Sequence, residues 1–94
     1  MQEYEVMYII RPDLDDESVE AVITKLKDLV AAEGEVTECE TIGKRRLAYD
    51  VKKHAEGIYV VMRFKSKSET SQELERVMKI SDDVIRYLVV RDEE

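Results

Sequence analysis

The fold is decided by residues 34–65, which read GEVTECETIGKRRLAYDVKKHAEGIYVVMRFK. Residues 35–51 are rich in Val, Thr, Ile and Tyr, which favour extended backbone. Residues 58–65 alternate in polarity, and the apolar side chains that share one face are Ile58, Val60, Met62 and Phe64. A predicted turn over residues 52–56, closed by Gly57, separates the two segments. Two strands joined by so short a turn predict a β-hairpin.

The first strand of this hairpin changes its apolar parity at Gly43. Before Gly43 the apolar residues Val36 and Ile42 are even-numbered, whereas Leu47, Tyr49 and Val51 after it are odd-numbered. One extra residue in a strand shifts the alternation in this way, and glycine is common at such a position. The sequence therefore predicts a β-bulge at Gly43.

A strand and a helix precede the hairpin, and a helix and a strand follow it. Residues 3–10 alternate with an apolar inward face, which consists of Tyr4, Val6, Tyr8 and Ile10. A helix capped by Asp13 or Asp15 carries the stripe Val19, Val22, Ile23, Leu26, Leu29 and Val30, and Gly34 is its expected C′ residue. A second helix starts at Ser68 or Thr70, where Thr70 and Glu73 fit a capping box. Residues 84–91 form the last strand.

The element order is therefore β-α-β-β-α-β within one domain spanning residues 1–94. Right-handed crossovers place the first and third strands at the centre of the sheet and both helices on one face. The predicted fold class is α+β: a ferredoxin-like sandwich with a four-stranded antiparallel sheet. Its second sheet face is left uncovered.

That uncovered face is a candidate protein-partner interface. The parity of the strands assigns it Met7, Ile9, Tyr59, Val61, Arg63, Arg86 and Leu88, with Glu3 and Glu5 at its rim. Small monomers seldom expose so contiguous an apolar patch. Arg86 is the most discriminating residue, since arginine among apolar neighbours is a common interface anchor. The alternative is that these residues are ordinary strand formers, chosen for propensity.

Charge is segregated along the chain. The protein carries 15 Lys and Arg against 22 Asp and Glu, and its net charge is −7. Residues 41–67 hold eight basic and two acidic residues, so this segment is +6 and the remainder is −13. A local positive field in an acidic protein indicates a phosphate-bearing partner such as RNA. The alternative is a solvated hairpin whose lysines only oppose aggregation.

Residues for catalysis or metal binding are scarce. Cys39 and His54 are the only cysteine and histidine, so no internal disulfide and no cysteine-based metal cluster is expected, and no cofactor is predicted. Cys39 lies between Glu38 and Glu40, whose charges would raise its pKa and oppose activation. A small hydrolase would need a nucleophile–base pair that this sequence does not supply. No apolar run approaches the length of a membrane span, and a reducing cytosol is the expected compartment.

Several segments together resemble the bacterial small-subunit ribosomal protein S6 family. They are Tyr4-Glu5-Val6, Arg11-Pro12, Gly43-Lys44-Arg45-Arg46-Leu47-Ala48-Tyr49, Gly57-Ile58-Tyr59 and residues 84–90. The Gly43–Tyr49 segment is the specific part, although Asp50 stands where the family usually has proline. The resemblance covers essentially the whole chain.

The resemblance implies a non-enzymatic, ribosome-associated cytoplasmic protein. It would bind the central domain of 16S rRNA together with ribosomal protein S18. The candidate RNA-binding residues are Lys44, Arg45, Arg46, Tyr49, Lys52 and Lys53. No membrane and no small-molecule substrate is expected. The alternative function is a non-catalytic regulatory or scaffolding module of the same fold that self-associates through its open sheet face.

Overall fold

A computed structural model describes residues 1–92. The elements are β1 (Gln2–Ile10), α1 (Asp16–Ala31), β2 (Glu35–Val51), β3 (His54–Ser66), α2 (Ser68–Ile80) and β4 (Val84–Asp92). This is the β-α-β-β-α-β order that the sequence predicts, and the bounds of β2 are those expected.

The four strands form one antiparallel sheet in the order β2-β3-β1-β4. β1 and β3 are therefore the central strands, as the sequence predicts. Met7 of β1 pairs with Val61 of β3 on one side and with Leu88 of β4 on the other. The predicted ferredoxin-like fold is confirmed.

The main core lies between the two helices and one face of the sheet. The inward residues predicted for β1 are all buried, and β3 adds Val60, Met62 and Phe64. The rings of Tyr4 and Phe64 stack with their centroids 5.4 Å apart. Burying each large apolar side chain contributes about 1.5–3 kcal/mol. This face holds the helices and leaves the opposite face of the sheet open.

The two helices begin differently from each other. Asp15 caps α1, because its Oδ1 accepts a hydrogen bond of 2.8 Å from the backbone N–H of Ser18. This hydrogen bonding lowers the pKa of Asp15. The capping box predicted for α2 is wrong: α2 has Lys67 at its N-cap with no side-chain cap, and Thr70 is buried. The Glu73 carboxylate instead accepts a 3.0 Å hydrogen bond from Nε of Arg76, which lowers its pKa.

Gly34 has a different role from the C′ residue that the sequence suggests. The helix α1 ends at Ala31 with Ala32 as its C-cap, so Gly34 lies beyond the cap. A Cβ at Gly34 would lie 2.3 Å from the backbone oxygen of Lys65. Glycine is needed here because the start of β2 approaches the end of β3 too closely for a side chain.

The hairpin turn is tighter than predicted. β3 already begins at His54, which pairs with Val51, so the turn consists of Lys52 and Lys53 rather than residues 52–56. Both lysines have positive φ, 50° and 69°, as the two central residues of a type I′ hairpin turn require. The predicted bulge at Gly43 is confirmed: the register with β3 shifts between Thr41 and Gly43, and Gly43 has φ 111°.

Candidate partner and nucleic-acid interface

The second half of β2 contains a bulged segment that leaves the plane of the sheet. Arg46 pairs with Glu56 and Val51 pairs with His54, so residues 47–50 lie opposite Ala55 alone. Four residues opposite one cannot follow the ladder, and the excess backbone bends out of it. We call residues 47–50 the arch, because Leu47 packs onto the open face of the sheet.

A second, smaller core forms beneath the arch. Leu47 is buried against Ile9 of β1 and Ile85 of β4, and Val51 and Tyr59 pack at its edge. The sequence predicts Ile9 as part of a partner interface. Ile9 is only 4% exposed, so it supports this region from below, whereas its neighbours on the same face remain accessible.

Gly57 makes room for this second core. A Cβ on Gly57 would lie 2.1 Å from Cγ2 of Ile9, closer than two carbon atoms can approach without bonding. The glycine therefore lets the Ile9 side chain lie directly over the β3 backbone. This close approach explains why a glycine stands within a central strand.

Arg86 and Tyr49 join the arch to β4. Nη1 of Arg86 donates a 2.8 Å hydrogen bond to the hydroxyl of Tyr49. The same guanidinium lies over the Tyr49 ring, with Cζ 5.7 Å from the ring centroid, which is within the range of a cation–π contact. Tyr49 is a predicted RNA-binding residue and Arg86 a predicted partner residue, so the structure brings together two sites that sequence reasoning keeps apart.

The basic residues of the hairpin are all solvent-exposed. These residues are Lys44, Arg45, Arg46, Lys52 and Lys53. Arg45 shares its strand parity with Leu47 and with the open face, whereas Lys44 and Arg46 point the other way, as strand alternation requires. Nη1 of Arg45 donates a 3.0 Å hydrogen bond to the backbone oxygen of Lys44. The hairpin therefore presents cations on both of its faces and at its tip.

A groove runs between the arch and the sheet. Its volume is about 220 Å³. Met7, Ile9, Leu47, Tyr59 and Leu88 supply its apolar lining, and Arg86 and Tyr49 stand at its rim. Leu88 is 57% exposed, so a large apolar side chain meets solvent there. This groove is one accessible part of the predicted partner interface.

The opposite end of the open face is charged. Nε of Arg63 lies 2.9 Å from Oε2 of Glu5 and 3.8 Å from Oε2 of Glu38, and Nζ of Lys65 lies 3.4 Å from Oε1 of Glu3. Arg63 is a predicted partner residue, and in this structure its charge is met by two carboxylates of its own chain.

The described residues offer no catalytic or metal-binding arrangement. Within residues 1–92 no group of three or more His, Cys, Asp or Glu side chains is placed to hold a metal ion. Burial raises the pKa of the Cys39 thiol, and Glu20 adds to the shift. The direction is the one expected from the sequence, but the cause is burial and not the adjacent glutamates. Among the same residues, no helix is long and apolar enough to cross a membrane.

Sequence reasoning did not assign Leu47, Val51 or Ile85 to the site. For Leu47 and Val51 the signal is that they are apolar residues inside the most basic stretch of the chain, where a purely solvated hairpin would have none. Such residues need a surface to bury them, and here the open face provides it.

A ferredoxin-like sandwich with an open apolar face and a basic hairpin has the features of a binding protein. The sequence profile described as Ribosomal protein S6 matches residues 3–91. Small ribosomal subunit protein bS6 of Carboxydothermus hydrogenoformans is 52% identical, over 100% of this chain and 99% of that protein. The protein of the same name from Moorella thermoacetica is also 52% identical, over 100% of this chain and 97% of that one.

Solved structures agree with this relationship. The crystal structure of 30S ribosomal protein S6 from Thermotoga maritima superposes with a TM-score of 0.91 at 31% identity, covering 97% of this chain and 87% of that one. The C-terminal domain of MgtC from Mycobacterium tuberculosis has a TM-score of 0.60 at 17% identity, over 99% and 89% of the two chains, and shares the fold alone. The chain belongs to the ribosomal protein S6 family, whose members are structural and non-enzymatic.

Proposed function

We propose that this chain binds the central domain of 16S rRNA together with ribosomal protein S18. As a member of the ribosomal protein S6 family it is a structural protein of the small ribosomal subunit, and its compartment is the cytoplasm. The finer assignment concerns what it contacts there. The basic hairpin is the RNA-binding element, and the open sheet face binds the protein partner.

The exposed cations of the hairpin are the observation that carries the RNA-binding part of the proposal. Five basic side chains lie within ten residues, and all five are exposed. RNA phosphates attract such a cluster, and their contacts make the binding dependent on salt. The two lysines at the tip have positive φ, a conformation that turns the chain sharply and projects both side chains away from the sheet.

The acidic remainder of the chain supports a basic protein partner. Outside residues 41–67 the charge is −13, which would repel RNA if this surface faced it. A basic protein that covers part of this surface removes the repulsion and adds its own phosphate contacts. The exposed apolar residues Leu88 and Val90 provide a patch for that protein to bury.

A binding titration tests the proposal. A central-domain rRNA fragment is titrated with this protein alone, with ribosomal protein S18 alone and with both, at several salt concentrations. We expect tight, salt-dependent binding when both proteins are present. Absence of RNA binding in every mixture, together with self-association of this chain in sedimentation, would instead support the self-associating module.

Charge reversal in the hairpin separates RNA binding from folding. Arg45→Glu combined with Arg46→Glu should weaken RNA binding by the protein pair at least about tenfold and reduce the salt slope by about 2. Lys25→Glu with Lys27→Glu on α1 makes the same charge change away from the hairpin and is the matched control. Circular dichroism checks that both variants fold. Wild-type affinity in the hairpin variant would refute the RNA-binding assignment.

A further inference from the structure

The arch stands between the two proposed binding surfaces. Its Leu47 packs into the second core on the open face, and the same segment continues into the lysines of the hairpin tip. Any movement of the arch therefore changes both the groove beneath it and the direction of the hairpin cations.

The groove fits one bulky apolar side chain. Its volume of about 220 Å³ is below the roughly 300–1,000 Å³ of ordinary small-molecule sites. A cavity of about 150 Å³ lined by aliphatic and aromatic groups is already large enough for a benzene ring. Protein interfaces commonly concentrate their binding energy in one such anchor within a desolvated pocket.

Charge indicates that a basic protein supplies this side chain. Glu40 lies opposite Val61, and in the next row of the sheet Arg63 lies between Glu38 and Glu5. Three carboxylates against one cation leave this side of the groove, away from the hairpin, net negative. Approaching RNA would meet these carboxylates with repulsion. A polypeptide with an apolar anchor and neighbouring cations complements both the groove and this row.

The Tyr49–Arg86 contact fixes the arch at the rim of the groove. Residues 47–50 have no one-to-one partners in the ladder, so side chains hold them in place. Leu47 holds the arch from beneath, and the 2.8 Å hydrogen bond from Arg86 to Tyr49 holds it from the side. A partner side chain in the groove would pack against both residues of this contact.

We infer that the arch couples the two surfaces: an apolar side chain of the basic protein partner fills the groove, steadies the Tyr49–Arg86 contact and thereby orients the hairpin cations for RNA. Tyr49 and Arg86 are positioning residues in this scheme. The inference rests on the proposed function, since it assumes that both a protein and an RNA are bound.

The test measures RNA affinity with and without saturating S18, for the wild-type protein and for Tyr49→Phe and Arg86→Gln. The ratio of the two affinities is the coupling factor, which for linked sites is typically about 5–150-fold. We expect each variant to lower the coupling factor at least about fivefold. Arg76→Gln makes the same charge change on α2 and should preserve the coupling factor.

Three other outcomes would overturn the inference. If Tyr49→Phe lowers RNA affinity equally with and without S18, Tyr49 contacts RNA directly and does not couple S18 binding to RNA affinity. If both variants retain the coupling factor of the wild-type protein, the Tyr49–Arg86 contact does not transmit the effect of S18 on RNA affinity. If the methyl resonances of Leu47 and Ile85 do not shift when S18 binds, the groove stays empty. A wild-type mixture that fails to bind RNA at all would refute the proposed function itself.

Discussion

The two ends of the open sheet face are built from the same strands and have opposite chemistry. We call the end nearest the hairpin the apolar end and the other the charged end. The apolar end consists of Met7, Ile9, Tyr59, Val61 and Leu88, and the charged end of Glu3, Glu5, Glu38, Arg63 and Lys65. In β1 the change occurs in a single step, from Met7 to Glu5.

The difference between the ends indicates how one sheet face can offer a specific binding site without promoting non-specific association. At the apolar end the arch covers Ile9, and the uncovered side chains form a groove of limited size. At the charged end, ion pairs across neighbouring strands engage both cations, Arg63 and Lys65, and three carboxylates against these two cations leave this end net negative. Apolar burial supplies most of the affinity in an interface, whereas charges set its register and exclude wrong partners.

The largest effect is expected from a charge placed at the apolar end. Leu88→Asp removes an apolar side chain from the lining of the groove and replaces it with a carboxylate that a bound partner would have to desolvate. We expect affinity for S18 to fall at least about 100-fold, the loss typical of a disrupted interface anchor. Isothermal titration calorimetry measures the change directly.

Val90→Asp is the matched control for this variant. Val90 is on the same strand and the same face, is 49% exposed, and lies one row further on, opposite Glu5. We expect Val90→Asp to lower the affinity for S18 less than about tenfold, as for a peripheral position of an interface. Equal losses at the two positions would abolish the distinction between the ends, and unchanged affinity in Leu88→Asp would remove the open face as the partner site.

A second effect concerns stability and tests the core beneath the arch. Gly57→Ala introduces a methyl group that would lie 2.1 Å from Ile9 Cγ2, so the second core must shift. Overpacking of this kind costs about 1–3 kcal/mol. We expect urea titration to show a decrease of the free energy of unfolding in that range. The decrease caused by Gly57→Ala should be smaller in an Ile9→Ala background, which lacks the obstructing side chain. A loss from Gly57→Ala that is unchanged in the Ile9→Ala background would mean that the clash is not its cause.

The sequence predicts the sheet well because strand alternation is a local signal. The alternating apolar residues of β1 and β3 identify the buried face of each strand. The parity change in β2 predicts the bulge at Gly43. Helix ends are less well predicted. Gly34 and Thr70 fit common capping patterns, but contacts with distant residues or burial decide their roles.

The arch could not be predicted from the sequence for a similar reason. Leu47 and Tyr49 alternate like any strand, and nothing local shows that residues 47–50 lie opposite a single residue. The tight turn at Lys52 and Lys53 produces this mismatch, because it lets β3 begin at His54. Two lysines with positive φ are unusual in such a turn, which normally contains Asn or Gly. The sequence shows which residue types the site contains, whereas the geometry of the site depends on the register between β2 and β3 near this turn.

The smallest effect is expected at the charged end. Glu5→Gln removes the carboxylate that Arg63 contacts at 2.9 Å, but both side chains are about half-exposed and Glu38 also lies within 4 Å of the same cation. Exposed pairs of this kind contribute about 0.2–1 kcal/mol, and salt screens them. At low salt, urea titration should therefore show a slightly larger decrease in the free energy of unfolding for Glu5→Gln than for the control Glu40→Gln on β2. A salt concentration of about 1 M should abolish this difference. A salt-independent loss above about 2 kcal/mol would show that this end is a structural core in its own right, and the contrast between the two ends would no longer hold.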